Sequence, residues 1–249
     1  MTPDELAFYK RMSADPDDDL PRLAFADWLD EHGLADRAEF VRLQIDRVRN
    51  HPSDPPSARE RELLDAHRAD WLTEVPPGFR DGAEFARGFV AKVQCDATAL
   101  LTRPTPVVVA PVEDMTIVVT ALDLSMELVT PPPLTLPLKA LTVQCEPFVG
   151  HAVAMYLERF GPQYPRLERL TIRDIGFSDY GVRMTTPALF PRLTALDLCH
   201  CGITDAGADI LIASPWPGRL TELRLDDNRW ITPPKLARLR AAFGPALVG

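Results

Sequence analysis

The chain has 249 residues, of which 46% are hydrophobic and 25% are charged, and its formal net charge is -9. This composition is typical of a globular protein and excludes disorder of the chain as a whole. Its apolar stretches are shorter than the roughly 18–20 residues that cross a bilayer, and its first residues are acidic, unlike a secretory signal. We therefore expect a cytoplasmic protein that does not contact membranes.

The acidic residues concentrate near the N-terminus. Residues 1–80 contain 18 acidic and 11 basic side chains, whereas residues 81–249 contain 18 and 16. Because nucleic-acid binding normally rests on a basic patch that neutralises phosphates, we expect no nucleic-acid partner. The four cysteines are too few for a disulfide scaffold, and we expect them to be reduced.

Residues 1–50 predict a module of three short helices. Thr2, Pro3 and Glu5 have the spacing of a capping box with proline at the first helical position, and Gly33 is typical of a residue just after a helix. The predicted helices cover about residues 3–12, 19–32 and 36–50. We expect the second helix to bury a wide apolar face formed by Leu20, Leu23, Ala24, Phe25, Trp28 and Leu29.

A proline-rich segment separates this module from the rest of the chain. Residues 50–57 contain three prolines and predict a linker. Residues 58–72 then predict a fourth helix.

From about residue 85 a six-residue pattern of the form LxxLxL recurs along the chain. The last positions of its copies are separated by 26, 29, 26 and 27 residues. This period is typical of leucine-rich repeats, in which each repeat contributes one parallel strand and one helix. The copies occupy residues 112–117, 138–143, 167–172, 193–198 and 220–225, and a weaker copy occupies residues 89–96.

The repeats predict an α/β solenoid with parallel strands and outer helices. The leucines of each copy would point inward, and the residues between them would stand on the concave side of the sheet. We expect outer helices at residues 151–160 and 206–213 and an amphipathic end cap at residues 236–243. Ser178 and Thr204 are placed to cap helices after their strands.

The segment Leu20–Gly33, followed by Arg37–Gln44, closely resembles the bacterial repeat-companion domain that is abundant in Planctomycetes. In that family the domain precedes repeat regions, and Arg87–Val90 resembles the usual entry to such a region. The repeats resemble the ribonuclease-inhibitor-like class. The resemblance implies no known reaction and no catalytic residue. At the asparagine-ladder position of the last three repeats, this chain departs from the consensus with Ile175 and Cys201 and retains Asn228.

These observations predict three regions. Residues 1–50 form the helical repeat-companion module, residues 51–84 form a linker and connecting helix, and residues 85–249 form a leucine-rich-repeat solenoid of five or six units.

The sequence contains no motif that identifies a reaction, a metal or a cofactor, so we expect none of these. Cys199 and Cys201 flank a histidine, but on a strand we expect Cys199 at the concave surface and Cys201 buried, so their thiols would diverge. The run Asp15–Asp19 lacks the ligand order of a calcium loop and predicts a solvated turn. Trp28 is either a docking residue or, more often in such a setting, a core residue.

The residues between the leucines are the best candidates for binding, because they would form a mixed charged surface on the concave side. The same alternation with the leucines applies to Val118, Ala140, Ala195 and Cys199. The candidate protein-binding residues are Asp114, Thr116, Thr142, Gln144, Arg169, Thr171, Arg173, Asp197, Glu222, Arg224 and Asp226.

The sequence therefore favours a non-catalytic, monomeric scaffold that presents this surface to a protein or peptide. One alternative is an enzyme, or an enzyme-associated regulator, with a site between the helical module and the first repeats. A second alternative is a structural element that self-assembles by stacking solenoid ends.

Overall fold

The computed structural model describes residues 2–101, 110–119, 136–145, 150–173 and 176–249. They form a mixed α/β protein, as predicted. The helices are α1 (Pro3–Ala14), α2 (Leu20–Glu31), α3 (Ala35–Asn50), α4 (Ala58–Trp71), α5 (Ala97–Leu101), α6 (Gly150–Phe160), α7 (Ser178–Met184), α8 (Asp205–Ala213) and α9 (Pro233–Phe243). The strands are β1 (Glu84–Ala86), β2 (Phe89–Asp96), β3 (Asp114–Val119), β4 (Ala140–Cys145), β5 (Arg169–Arg173), β6 (Ala195–Asp197), β7 (Glu222–Arg224) and β8 (Leu247–Val248).

The order of the strands in the sheet follows their order in the chain, from β1 to β8. No helix of the described ranges is long and apolar enough to span a bilayer. The chain divides into two compact units. Unit 1 comprises Met1–Gln94 and Val107–Asp114, and unit 2 comprises Cys95–Pro106 and Met115–Gly249.

Helices α1 to α3 of unit 1 enclose an aromatic and aliphatic core. The core contains Phe89 from β2, whose ring lies 5.6 Å from that of Tyr9. Gly88 precedes it with a φ of +89°, and a side chain at this position would overlap with Val41. The chain therefore needs glycine where the strand passes close to α3. The core residues are Tyr9, Met12, Phe25, Ala26, Leu29, Ala38, Val41, Ile45 and Phe89.

The predicted helix boundaries of unit 1 agree with the structure to within two residues, and the capping box at Thr2 and Glu5 is present. The predicted buried face of α2 is wrong at two positions, because Leu20 is 68% exposed and Ala24 is also exposed. Arg22 is buried instead, and its Nη1 donates to the carbonyl oxygens of Pro16 and Asp18. The N-terminal end of α2 is thus anchored by a charged group rather than by leucine.

A buried ion pair that sequence patterns did not indicate joins α3 to the segment after α4. Arg37 contacts the carboxylate of Glu74, and its guanidinium lies 4.5 Å from the centre of the Trp71 ring. Burial raises the pKa of Glu74, although Arg37 and hydrogen bonds from Tyr9 and the Val90 amide act in the opposite direction.

In unit 2, strands β4 to β8 pair in parallel with leucines in matching positions. Leu141 is opposite Leu170, which is opposite Leu196, and Leu196 is opposite Leu223. All four are at most 1% exposed. The predicted alignment of these leucines in successive parallel strands is therefore confirmed. Helices α6 to α9 contact one another in chain order and form a second layer.

Asn228 and the helix caps hold the segments between strands and helices in unit 2. The side-chain carbonyl oxygen of Asn228 accepts from the backbone amides of Cys201 and Ile203. Its side-chain amide nitrogen donates to the backbone carbonyl oxygens of Leu198 and Leu225. Ile175 lies outside the described residues. Thr204 caps α8 as predicted, with its hydroxyl accepting from the Ala206 amide.

The predicted cap at Ser178 is wrong. Phe177 occupies the N-cap position of α7, and Ser178 is the first residue of that helix. The following residue, Asp179, instead accepts hydrogen bonds from the amide and hydroxyl of Thr204. Asp205 contacts Thr232 in the same manner. These contacts link residues about one repeat apart and therefore could not be read from local patterns.

Candidate functional site

One face of the parallel sheet in unit 2 carries most of the candidate binding residues. They alternate with the buried leucines, as strand geometry requires. We call this set the polar face: Thr142 and Gln144 on β4; Arg169, Thr171 and Arg173 on β5; Asp197 on β6; Glu222 and Arg224 on β7; and Asp226 just after it. Asp114 belongs to unit 1, and Thr116 is half-buried on β3 in unit 2.

The strand register arranges the polar face in rows. Thr142, Thr171, Asp197 and Arg224 are opposite one another on neighbouring strands. Gln144 is opposite Arg173 in the next row. Neighbouring strands lie about 4.8 Å apart, so side chains within one row can act on one ligand together.

An ion pair spans a whole strand at one end of this face. Arg169 Nη1 lies 2.9 Å from Glu222 Oε2, although Ala195 of the intervening strand is opposite both residues. Ala195 lies in the same row as these residues, as its alternation with the leucines predicts, but it is only 5% exposed. A small side chain here leaves room for the arginine and the glutamate to meet.

A second cluster centres on Asp197, which is 9% exposed. Its Oδ2 lies 3.4 Å from Arg173 Nη2, and its Oδ1 accepts from the Cys199 amide at 3.0 Å. Burial opposes the ionisation of Asp197, but the contacts with Cys199 and Arg173 together hold the pKa of this carboxyl below its usual value. Asp197 is therefore a charged, anchored residue of the polar face.

The Cys199 thiol is shielded, contrary to the expectation that it reaches the surface. Cys199 is 8% exposed, and its Sγ lies 3.5 Å from Asp226 Oδ2. Burial and the neighbouring Asp197 carboxylate raise the pKa of this thiol to about 12. The thiol is thus protonated near neutral pH, and a protonated thiol is a poor nucleophile and metal ligand.

The thiols of Cys199 and Cys201 have different partners, in keeping with the predicted divergence. Cys201 is buried, and its Sγ lies 3.1 Å from the carbonyl oxygen of Ile172. The described part of the chain holds no group of three or more His, Cys, Asp or Glu residues that could bind a metal ion.

The charges of the polar face balance one another, with three arginines against three carboxylates. The arginine side chains are the more exposed partners: counting side-chain atoms alone, Arg169 and Arg173 are 55% and 53% exposed, whereas Glu222 and Asp197 are 32% and 12% exposed. Arg224 Nη2 lies 3.5 Å from Asp226 Oδ2 and is also partly exposed. The outermost groups of this face are therefore guanidiniums with unused donors.

Two other features that the sequence singled out lie in unit 1. The turn Asp15–Asp19 is less solvated than predicted, because Asp19 is only 7% exposed. Arginines hold this turn: Arg87 Nη1 donates to the Pro16 carbonyl oxygen, and Arg49 Nε lies 2.7 Å from Asp19 Oδ2. Trp28 is half-buried, stacks on Phe25 at 5.5 Å and packs against the core of unit 1. Both environments agree with structural roles.

No family model matches this chain, and no curated protein is significantly similar to it. The geometry of the polar face is therefore the basis for assigning a function.

Proposed function

We propose that the chain is a non-catalytic scaffold that binds another protein or a peptide through the polar face. In this proposal the polar face is the concave surface of a short solenoid of ribonuclease-inhibitor-like leucine-rich repeats. The residues before it form a repeat-companion module. The partner makes contact with the residues that alternate with the inward-facing leucines.

The observation that carries the proposal is the regular repetition of the polar face. Equivalent positions such as Arg169, Ala195 and Glu222 recur at steps of 26 and 27 residues in directly paired strands. A repeat of this kind places polar side chains in rows over a rigid, hydrogen-bonded sheet, so little ordering entropy is lost when a partner binds.

The charge pattern supports a protein or peptide partner and argues against a nucleic acid. Each arginine of the polar face already contacts a carboxylate of the same face. A polyphosphate backbone would therefore meet as many negative as positive groups. A protein surface with alternating charges can match both signs, and such complementarity contributes mainly to specificity.

Affinity capture from the native host with quantitative mass spectrometry tests this proposal, with the Arg173→Glu variant as bait. Arg173 suits the test because it is 53% exposed and its contact with Asp197 is long. We expect a protein that the wild-type chain captures to be depleted at least about tenfold, since an arginine at the centre of an interface often contributes more than about 1.4 kcal/mol.

The matched control is Arg183→Glu, which makes the same charge change at an exposed position of helix α7. Capture by this control should equal capture by the wild-type chain. Equal recovery of every captured protein by both variants would contradict the proposal.

A further inference from the structure

A cleft in unit 1 is separate from the polar face and has a chemistry of its own. It encloses about 460 Å³. Helix α3 contributes Arg47, helix α4 contributes Arg61, Leu64 and Arg68, and β1 contributes Phe85. The cleft thus combines apolar side chains with three guanidiniums.

Two of the three guanidiniums have no carboxylate partner. Arg47 is neutralised, because its Nε and Nη2 each lie 3.0 Å from a carboxylate oxygen of the buried Glu60. Arg68 Nη2 donates to the carbonyl oxygen of Ala83 at 2.6 Å, and this uncharged acceptor leaves the positive charge in place. Over the described ranges, the side chain of Arg61 makes neither an ion pair nor a hydrogen bond.

The remaining carboxylate at the rim does not compensate these charges. Glu84 also lines the cleft, but its Oε1 lies 2.8 Å from Lys92 Nζ. Arg61 and Arg68 are therefore the two groups available to an anionic ligand. Residues 1–80 contain 18 acidic against 11 basic side chains, so their net charge repels an anionic ligand. Salt screens charges over short distances, and an anionic ligand is therefore attracted only where it comes close to these two arginines.

The spacing of the two arginines distinguishes between classes of ligand. Arg61, Leu64 and Arg68 share one face of α4 at positions i, i+3 and i+7. Seven residues of helix span about 10.5 Å, so one phosphate or one carboxylate group would contact the two arginines only with both side chains bent inward. Two carboxylates three residues apart on a polyproline-type extended chain are about 9 Å apart.

We propose that this cleft binds an acidic peptide segment in which two carboxylates, three positions apart, flank apolar residues. The carboxylates pair with Arg61 and Arg68. The apolar residues between them lie against Leu64 and Phe85, where they lose exposure to water. Such a segment can belong to a partner protein, and its recognition does not depend on the polar face of unit 2.

Fluorescence anisotropy with the full chain and two labelled peptides tests this proposal. One peptide contains a glutamate, a leucine, a proline and a second glutamate in succession, and the other has glutamine in place of both glutamates. We expect the glutamate peptide to bind at least about tenfold more tightly than the glutamine peptide, the ratio that corresponds to about 1.4 kcal/mol.

The variant Arg61→Gln should weaken binding of the glutamate peptide about three- to tenfold, as expected for loss of a partly exposed ion pair. This variant should fold normally because Arg61 is exposed and unpaired over the described ranges. Arg11→Gln removes the same charge from an exposed position of α1 outside the cleft and should leave the Kd unchanged.

Equal affinity for the two peptides would overturn the proposal, as would an Arg61→Gln variant with the affinity of the wild-type chain. Absence of binding by the wild-type chain at roughly millimolar peptide, the weak limit of specific recognition, would also overturn it. Because these outcomes involve no residue of unit 2, they leave the proposed function of the polar face unaffected.

Discussion

The side-chain amide of Asn228 ties neighbouring segments of unit 2 together. It is 7% exposed and makes hydrogen bonds to two amides and two carbonyl oxygens of the backbone. Cys201 stands one step earlier at the corresponding position, and its thiol lies 3.1 Å from the carbonyl oxygen of Ile172 and 3.6 Å from that of Cys199. Asparagine thus satisfies buried backbone groups that cysteine satisfies only in part.

Replacement of Asn228 by alanine should lower the free energy of unfolding by about 2–4 kcal/mol, because it leaves several buried backbone groups without partners. Urea denaturation followed by circular dichroism measures the change. Asn50→Ala, which removes an exposed amide bonded to Asp46, is the control and should change the free energy by less than about 0.5 kcal/mol. A loss for Asn228→Ala as small as that of the control would refute the assigned role.

The Asp197 carboxylate should make the stability of the protein depend on pH. Its pKa is lower in the folded state than the usual value, so its charged form stabilises the fold above the unfolded pKa of about 3.9. This contribution is lost as the pH falls through the folded pKa. Asp197→Asn should therefore lower the free energy of unfolding by about 1 kcal/mol near neutral pH.

Urea denaturation at a series of pH values checks this prediction. The difference between the wild-type chain and Asp197→Asn should shrink as the pH falls below about 4. A difference that stays constant from neutral pH to well below this value would show that Asp197 acts through packing and not through its charge.

At the level of elements, aspartates at the start of one helix hold the cap of the next helix or turn. Asp179 lies in α7 and bonds to Thr204, the N-cap of α8; Asp205 lies in α8 and bonds to Thr232, the N-cap of α9. Hydrogen bonds with the backbone and hydroxyl of Thr232 lower the pKa of Asp205, which is half-buried. These contacts fix the spacing of the helix layer.

Gly207 of α8 sits so close to this contact that a side chain there would overlap with Asp179 Oδ1 and with Ile203. We expect Gly207→Ala to destabilise the fold by about 1–3 kcal/mol despite the higher helix propensity of alanine. The same substitution should destabilise an Asp179→Ala background less, because part of the overlap is removed. Thermal denaturation of the wild-type chain and the three variants of this cycle measures the coupling, and strictly additive effects would contradict the proposed contact.

The elements themselves could be predicted largely from local patterns. Capping signals predicted closely where α1 and α8 begin. The recurrence of leucine every 26 to 29 residues predicted the pairing of Leu141 with Leu170 and of Leu196 with Leu223. Both signals are local or strictly periodic.

Features that depend on contacts between repeats could not be predicted in this way. The burial of Ala195 and Cys199 follows from ion pairs and carboxylates on neighbouring strands. Likewise, the exposure of Leu20 follows from the arginine contacts that anchor the turn before α2. In the candidate site, the polar positions were predictable, but their mutual pairing was not.

At the level of the whole molecule, the excess negative charge of the chain is not carried by the polar face. Residues 1–80 hold seven of the nine excess negative charges, whereas the polar face carries equal numbers of arginines and carboxylates. In the proposed function, long-range attraction would therefore contribute little to recognition at the polar face. Under this proposal, the pattern of charges on neighbouring strands would select the partner.

Site-specific photo-cross-linking in the native host tests the central claim most directly. A photoreactive amino acid at position 171, in the middle of the polar face, should form a covalent adduct with a partner protein. The same amino acid at position 183, on the exposed side of α7, should form none with that partner. Adducts from position 183 without adducts from position 171, or none from either position, would contradict binding through the polar face.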